Sequence, residues 1–257
     1  MTKTTLAVSQ CFQDAYPRVR SRIGAFTVNN MAKAEGLPAG HGLELTAHLD
    51  GFIDDAFDRM CTPEFYDSLR RHDVKLVSLD LGPACRKVRM EECYMPDSPV
   101  LEPDEIIADG KARMNTLRAN YKGLVALENL DYHPGGAYDH ICEPAFINKA
   151  LKAWDAGITL DIGHLNVTCH NTKMDPFEFI RQIDSERILE LHVSHAEGGH
   201  DAHGLPDERD YKLVEFALSR SKPLYVNLEY YWEPEPIIEH TLRLCDLVDA
   251  ARPKAAT

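Results

Sequence analysis

The sequence predicts an α/β fold, a (β/α)8 barrel of the TIM type, on three observations. Short apolar runs typical of strands alternate with helix-length amphipathic segments along the chain. The strand-like runs are rich in Val, Ile and Leu, as in parallel strands covered by helices. Nearly every run from the second onward ends in His, Asp or Glu. A closed barrel would gather these strand ends at one mouth, whereas an open sheet would spread them along a line.

The strands of the predicted barrel are short and punctuated by polar residues. An eighth strand is ambiguous at Arg22–Asn29, so the barrel could have an irregular or missing first strand. The seven clearer strand predictions are Leu6–Ser9, Leu43–Leu49, Lys75–Leu81, Leu124–Leu130, Ile158–His164, Ile188–Ser194 and Leu224–Tyr230.

Helical patterns separate these strands, and two of them begin at a proline, which the first turn of a helix tolerates. No Ser/Gly-rich linker or internal repeat interrupts the chain, so we expect one barrel domain spanning residues 1–257. The helix predictions are Pro103–Tyr121, Glu143–Ala156, Asp175–Ile183, Asp207–Ser219 and Pro234–Ala251.

Composition narrows the class of protein. Lys and Arg total 28 against 41 Asp and Glu, a formal charge of −13, which disfavours nucleic acid as a partner. No run approaches the roughly 20 apolar residues of a membrane span, and no apolar signal-peptide run follows Met1. We therefore expect a cytoplasmic protein without a membrane partner. Its 7 cysteines form no CxxC, so neither a disulfide framework nor a thiolate zinc site is predicted.

The strand ends supply candidate metal ligands. Crowded, buried carboxylates and imidazoles are costly unless a cation compensates them. Imidazole mixed with carboxylate suits Fe, Zn or Mn, and bridging carboxylates allow two or three divalent ions. The predicted ligands are His48, Asp80, Glu128, Asp161, His164, His192, Asp201, His203 and Glu229.

Other residues near the predicted mouth carry weaker signals. The segment Gly82–Pro99 follows the Asp80 strand and could cover the mouth, although we expect an ordinary surface excursion. Four histidines in loops after barrel strands could contact substrate or support ligands: His133, His140, His195 and His200.

The order of the predicted ligands resembles the xylose-isomerase-like superfamily of TIM barrels, including its endonuclease IV type. By that resemblance four residues surround two ions: Glu128, Asp161, His192 and Glu229. Three more, His164, Asp201 and His203, would hold a third ion, and His48 would bind the first. Asp80 departs from the pattern, which has a second histidine at that place.

A second resemblance is to the multinuclear non-heme iron-dependent oxidative enzymes, the family of the methanobactin-biosynthesis oxidase. Its motifs are similar to Glu128-Asn129, to the segment 161–175 and to Asp201-Ala202-His203-Gly204-Leu205-Pro206. His164 and Thr172 depart from the family's asparagine and histidine. The resemblance implies iron ions and O₂. It also implies a cysteine thiol in a peptide or peptide-linked substrate, with a recognition partner protein in some members.

Three alternatives stay open at this point. A sugar isomerase or epimerase would bind a small-molecule substrate and use Glu128 and Glu229 as proton-shuttling catalytic residues. A trinuclear zinc phosphodiesterase would use nearly the same ligands but lacks Lys- and Arg-rich loops near the motifs. A metal-storing barrel would have no open coordination positions.

Overall fold

Eight parallel strands close into one barrel in the computed structural model, which describes residues 4–9, 16–37 and 42–251. The barrel order is β1-β12-β9-β8-β7-β4-β3-β2. Its strands are β1 (Thr5–Ser9), β2 (Ala25–Val28), β3 (Glu44–Leu49), β4 (Val74–Asp80), β7 (Leu124–Glu128), β8 (Gly157–Asp161), β9 (Ile188–Val193) and β12 (Tyr225–Leu228).

Two antiparallel hairpins and ten α-helices of the described residues surround the barrel. The hairpins pair β5 (Val88–Met90) with β6 (Tyr94–Pro96), and β10 (His195–Glu197) with β11 (His200–Gly204). The helices are α1 (Tyr16–Val19), α2 (Met31–Ala34), α3 (Asp55–Met60), α4 (Pro63–Arg71), α5 (Pro103–Asn120), α6 (Pro144–Trp154), α7 (Ile162–Thr172), α8 (Pro176–Gln182), α9 (Glu208–Arg220) and α10 (Pro234–Ala250).

The predicted barrel is confirmed, and the five predicted helices match α5, α6, α8, α9 and α10 within about two residues. The first strand is regular, and the ambiguous run Arg22–Asn29 contains β2, which pairs with β1 and β3. The predicted strand Ile158–His164 was wrong in its second half. The strand ends at Asp161, whose side chain accepts a hydrogen bond from the His164 backbone N–H at 2.6 Å and starts α7.

The outer faces of the strands pack under the helices, and one contact explains a glycine in a helix. Gly110 lies in the middle of α5, where glycine costs about 1 kcal/mol relative to alanine. A Cβ atom there would lie 2.2 Å from the ring of Trp154 in α6. The Trp154 indole N–H donates to the Ile107 carbonyl at 2.9 Å, so the two helices approach closely at this point.

The barrel interior changes character from bottom to top. Its lower end is apolar and closed by Ala7, Ala25, Leu76, Ala126 and Tyr225. Because side chains alternate along a strand, the residue two positions before each strand-end ligand also points inward. In most ligand-bearing strands that residue is polar and buried. We call this set, together with the neighbouring Thr27 of β2, the polar layer: Thr27, Thr46, Ser78, Thr159, Glu190 and Asn227.

Two pairs of hydroxyls satisfy each other within the polar layer. Thr27 Oγ1 and Thr46 Oγ1 lie 2.8 Å apart, and Ser78 Oγ and Thr159 Oγ1 lie 2.7 Å apart. Buried polar groups cost free energy unless they are hydrogen-bonded, and these pairs meet that requirement.

Among the described helices, none is both long enough and apolar enough to cross a bilayer. The six described cysteines are free thiols, as the sequence predicts, and Cys11 lies outside the described residues.

Candidate metal centre

Four predicted ligands meet at the top of the barrel, and we call them the inner cluster: Glu128, Asp161, His192 and Glu229. One donor atom from each lies within 4.8 Å of the others. His192 Nδ1 lies 2.8 Å from Glu128 Oε1 and 3.0 Å from Glu229 Oε2. These side chains come from four neighbouring strands, β7, β8, β9 and the end of β12, so the barrel's closure brings them together.

His48 and Asp80 extend the inner cluster on the β3 and β4 side. His48 Nε2 lies 3.1 Å from Glu128 Oε2, and these residues with His192 form a second group whose donor atoms lie within 4.8 Å. Asp80 Oδ1 lies 3.6 Å from His48 Nε2, and its other oxygen accepts a hydrogen bond from Gly51 N–H at 3.4 Å. Asp80 thus stands at the edge of the cluster.

The remaining three predicted ligands form an outer cluster: His164, Asp201 and His203. Asp201 lies between the histidines, with Oδ2 3.4 Å from His164 Nε2 and in direct contact with His203 Nδ1. The two rings are 6.3 Å apart between centroids. Asp201 and His203 lie on β11 of a hairpin, not in a loop, and His203 Nε2 reaches to 3.9 Å from Glu229 Oε1.

Asn129 positions residues of both clusters. Its side chain accepts from the Asp161 N–H at 2.9 Å and donates to the Asp161 carbonyl at 3.1 Å. The backbone carbonyl oxygen of Asn129 lies 2.9 Å from His164 Nδ1. That nitrogen therefore donates a hydrogen bond, and His164 Nε2 faces Asp201. The sequence prediction used Asn129 only as part of a motif and missed this role.

The start of α7 packs directly on the end of β9. A Cβ atom at Gly163 would lie 2.2 Å from Ser194 Oγ, so any larger residue would displace the Ser194 side chain. This approach sets the helix start beside His192. Asp161 therefore serves two purposes, with Oδ1 capping the helix and Oδ2 facing the cluster without a partner among the described residues.

Burial dominates the pKa values of most residues at the inner cluster, but Glu229 and His192 compensate each other. The neighbouring carboxylates Glu229 and Glu128 hold the pKa of His192 well above its usual range, and His192 holds the pKa of Glu229 well below it. Burial raises the pKa of Glu128 to about 8, that of Asp161 to about 6 and that of Asp80 to about 7. Burial lowers the pKa of His48 to about 3, so its ring is neutral and offers a lone pair. Carboxylates that ionise reluctantly in this way are stabilised by a bound cation.

The outer cluster behaves as an ion pair. Burial alone would raise the pKa of Asp201, but hydrogen bonds from His164 and His203 lower it below its usual range. Burial opposes protonation of His203, yet Asp201 and Glu229 raise its pKa to about 9. Protons on the histidines thus compensate the carboxylate where a metal ion could do so.

Unpartnered donor atoms show that the inner cluster fits metal ions. In the described part of the chain, both oxygens of Glu128 and both ring nitrogens of His192 have no hydrogen-bond partner. His192 Nδ1 is near two carboxylates, but the angles are not those of hydrogen bonds. Fully buried polar atoms rarely lack a hydrogen-bond partner. Lone pairs directed at a shared centre, from imidazole and carboxylate alone, suit Fe, Zn or Mn.

A cavity of about 400 Å³ opens above both clusters. The hairpin of β5 and β6 forms part of its wall through Met90, Cys93 and Tyr94. The expectation that Gly82–Pro99 is an ordinary surface excursion was therefore wrong, because part of this segment lines the mouth. Of the described residues that line the cavity, none is Lys or Arg.

The four loop histidines separate into two groups. His133 and His200 line the cavity, their rings are stacked with centroids 6.1 Å apart, and His133 contacts Asp131 at 2.8 Å. His140 and His195 do not line it. A substrate-contacting position is thus available to two of the four.

A further acidic group lies behind the β10–β11 hairpin, where His195, Asp207 and Asp210 come together. Protein donors already occupy its carboxylates. Asp210 contacts His195 Nδ1 at 2.7 Å and Asn166 Nδ2 at 2.8 Å, and Asp207 caps α9. We interpret this group as a helix-capping network.

Comparison with known proteins bears on what the centre does. A family model described as RiPP precursor modification enzyme MbnB/TglH/ChrH matches residues 56–239, more than half of the chain. The chain belongs to this family. The MbnB/TglH/ChrH match covers all nine predicted metal ligands except His48. The predicted resemblance to the methanobactin-biosynthesis oxidase family is therefore confirmed.

Individual relatives are more distant. A UPF0276 protein of Neisseria meningitidis serogroup B is 25% identical over 198 residues, 74% of this chain and 65% of its own length. A UPF0276 protein of Nitrosospira multiformis is 32% identical over 70 residues, 27% of this chain and 25% of its own length. The chain thus spans about two thirds of the length of the first of these relatives.

Solved structures confirm the barrel type. A D-tagatose 3-epimerase-like protein superposes with a TM-score of 0.66 at 16% identity, covering 96% of this chain and 98% of its own. The 3-keto-D-glucoside 4-epimerase of E. coli gives 0.60 at 13% identity, covering 95% and 99%. These similarities concern the fold alone: the MbnB/TglH/ChrH member shares the barrel architecture of these proteins.

Proposed function

We propose that this protein is a multinuclear non-heme iron-dependent oxidase that uses O₂ to oxidise a cysteine in a peptide or peptide-linked substrate. The main support is that the inner cluster and the His164–Asp201–His203 contacts of the outer cluster lie beneath one cavity, in a chain of the MbnB/TglH/ChrH family. Seven donor residues in two linked clusters exceed what a single-ion site requires.

Iron bound by imidazole and carboxylate, with positions left open, supplies the oxidising chemistry with O₂ as the oxidant. The chain's own residues would bind the metal ions and hold the ligand side chains in place. The inner cluster offers ligand atoms from rigid strand ends, and His48 stays neutral at physiological pH. Tyr231 donates a hydrogen bond to Glu229 Oε1, which restrains that carboxylate at the cavity wall.

The cavity suits an uncharged or cationic peptide segment. Its outer wall carries Asp50, Glu92 and Asp131 together with apolar and aromatic side chains, and its described lining has no Lys or Arg. A phosphodiester backbone would meet negative charge here. The chain's formal charge of −13 acts in the same direction, and a basic partner protein or peptide would be attracted.

A metal-dependent sugar isomerase or epimerase is the second candidate. One observation favours it: the two carboxylates such a reaction would use, Glu128 and Glu229, both lie within reach of His192 in the inner cluster. The outer cluster has no role in that reaction, and we therefore rank the isomerase or epimerase second.

Metal analysis of protein purified without added metal or chelator tests the proposal, with anaerobic Mössbauer and EPR spectra. We expect two or three irons per chain. Incubation with a basic cysteine-containing peptide and O₂ should then yield a product that mass spectrometry shows to be dehydrogenated or oxygenated. Zinc or manganese without iron after anaerobic reconstitution, together with epimerisation of a ketose, would support the second candidate instead.

A further inference from the structure

One buried carboxylate beneath the metal centre has no place in the ligand set described above. Glu190 lies in the polar layer on β9, two residues before His192, and its side chain is fully buried. Its Oε2 accepts a hydrogen bond from Thr159 Oγ1 at 3.4 Å. Its Oε1 has no partner among the residues that the structure describes.

The two nitrogens of the His192 ring face different carboxylates. Nδ1 lies near Glu128 and Glu229 in the inner cluster, whereas Nε2 points down to Glu190 Oε2 at 3.6 Å. That separation exceeds a hydrogen bond, so the contact is electrostatic in this arrangement. An imidazole that offers one nitrogen to a metal carries its proton on the other, and a carboxylate beyond that proton fixes the ring's tautomer and orientation.

Glu190 is an expensive residue to keep at this place. A buried carboxylate costs several kcal/mol unless it is well paired, and among the described residues its ion-pair contact is the 3.6 Å approach of His192 Nε2, not a Lys or Arg. An aliphatic side chain, like those at the bottom of the barrel, would avoid that cost. The charge is explained if cations above it compensate.

We propose that Glu190 is a positioning residue for the metal centre, holding the His192 proton on Nε2 and directing Nδ1 to the ions. It also places a negative charge directly beneath them. This inference rests on the metal centre of the proposed function but not on the oxidative reaction.

Two variants separate this role from a structural one. Glu190→Gln keeps the shape and removes the charge, while Glu190→Met removes both the charge and the acceptor. Thr46→Val is the matched control, because it removes a buried hydroxyl of the same polar layer that contacts Thr27 and not His192. Each protein is loaded with Co²⁺, titrated with chelators of graded affinity, and its Co²⁺ absorption spectrum is recorded. Thermal unfolding of each protein without metal is measured alongside.

We expect both Glu190 variants to lose about 10- to 100-fold in affinity for at least one Co²⁺, with the larger loss and a changed spectrum in Glu190→Met. Their melting temperatures without metal should be close to the wild-type value, since the substitutions disturb a long Thr159 hydrogen bond and a long His192 contact. Thr46→Val should bind Co²⁺ like the wild type. Unchanged affinity in both Glu190 variants, or a lower melting temperature without loss of affinity, would overturn the proposal. Wild-type protein that binds Co²⁺ but oxidises no peptide would refute the oxidase and leave this test intact.

Discussion

The inner and outer clusters use the same two kinds of side chain but are built differently. Inner-cluster side chains are at most 6% exposed and come from barrel strands, whereas His203 is 28% exposed and lies on a hairpin with Asp201. Without metal, burial raises the pKa of Glu128 and Asp161, whereas His192 holds the pKa of Glu229 well below its usual range. The outer carboxylate, Asp201, is compensated by two histidines. The inner cluster is therefore a buried strand-end site whose raised carboxyl pKa values a cation would lower, and the outer cluster is a more exposed site whose carboxylate is already compensated.

Loss of an inner ligand should have the largest effect. Glu128→Ala removes a carboxylate that faces both His48 and His192, so we expect loss of most bound metal and of activity. The loss of activity should exceed the roughly 10- to 100-fold that supporting residues cost. Metal analysis and a peptide-oxidation assay measure it, with the surface variant Glu178→Ala as control. Full metal content in Glu128→Ala would remove Glu128 from the ligand set.

An outer substitution should have a smaller and separable effect. His203→Ala leaves the inner donors in place, so we expect one ion fewer per chain and a spectrum in which the inner ions persist. Activity should fall by about 10- to 100-fold. If all metal is lost instead, the two clusters bind their ions as a single unit and the distinction between them fails.

The pH dependence of stability should differ between metal-free and metal-loaded protein. The folded pKa values of Asp80, Glu128 and His203, about 7, 8 and 9, lie above their ordinary values. The stability gained from holding these protons is fully present below the ordinary pKa values, about 4 for the carboxyl groups and about 6.5 for His203, and is lost progressively up to the folded values. His48, whose pKa is lowered to about 3, contributes no change above pH 6.5.

We therefore expect the free energy of unfolding of metal-free protein to fall between about pH 6.5 and about pH 9, by on the order of 1 kcal/mol per pH unit for each group below its folded pKa. Metal-loaded protein should lack this fall, because the ligands are already deprotonated. Urea titrations at several pH values measure both. A flat profile without metal would show that the inner carboxylates are already ionised at pH 7.

The smallest effect should come from the acidic group behind the hairpin. Asp207→Ala removes the side-chain acceptor for the N–H groups of Arg209 and Asp210 and should lower the free energy of unfolding by about 1 kcal/mol. Metal content should stay at the wild-type value. A loss of metal in this variant would mean that the capping network supports the outer cluster through β11.

Sequence reasoning reached the barrel and the residues of both clusters because strand periodicity and strand-end chemistry are local signals. It missed the end of β8, because the apolar pattern around Asp161 is typical of a strand. The helix start at this residue depends on the hydrogen bond from the His164 N–H to the Asp161 side chain. It also missed Glu190, although the spacing Glu190-x-His192 places both side chains on the inner face of one strand. The β10–β11 hairpin was beyond reach because residues 195–204 lack the alternation of a strand.

The hairpin has a consequence for how this fold can diversify. Two of the three outer-cluster residues lie on the short hairpin His195–Gly204, which is not part of the eight-stranded barrel. Exchanging that hairpin would change the number of ions held without disturbing the scaffold beneath. Under the proposed function, the number of metal ions held would thus depend on this hairpin and not on the barrel strands.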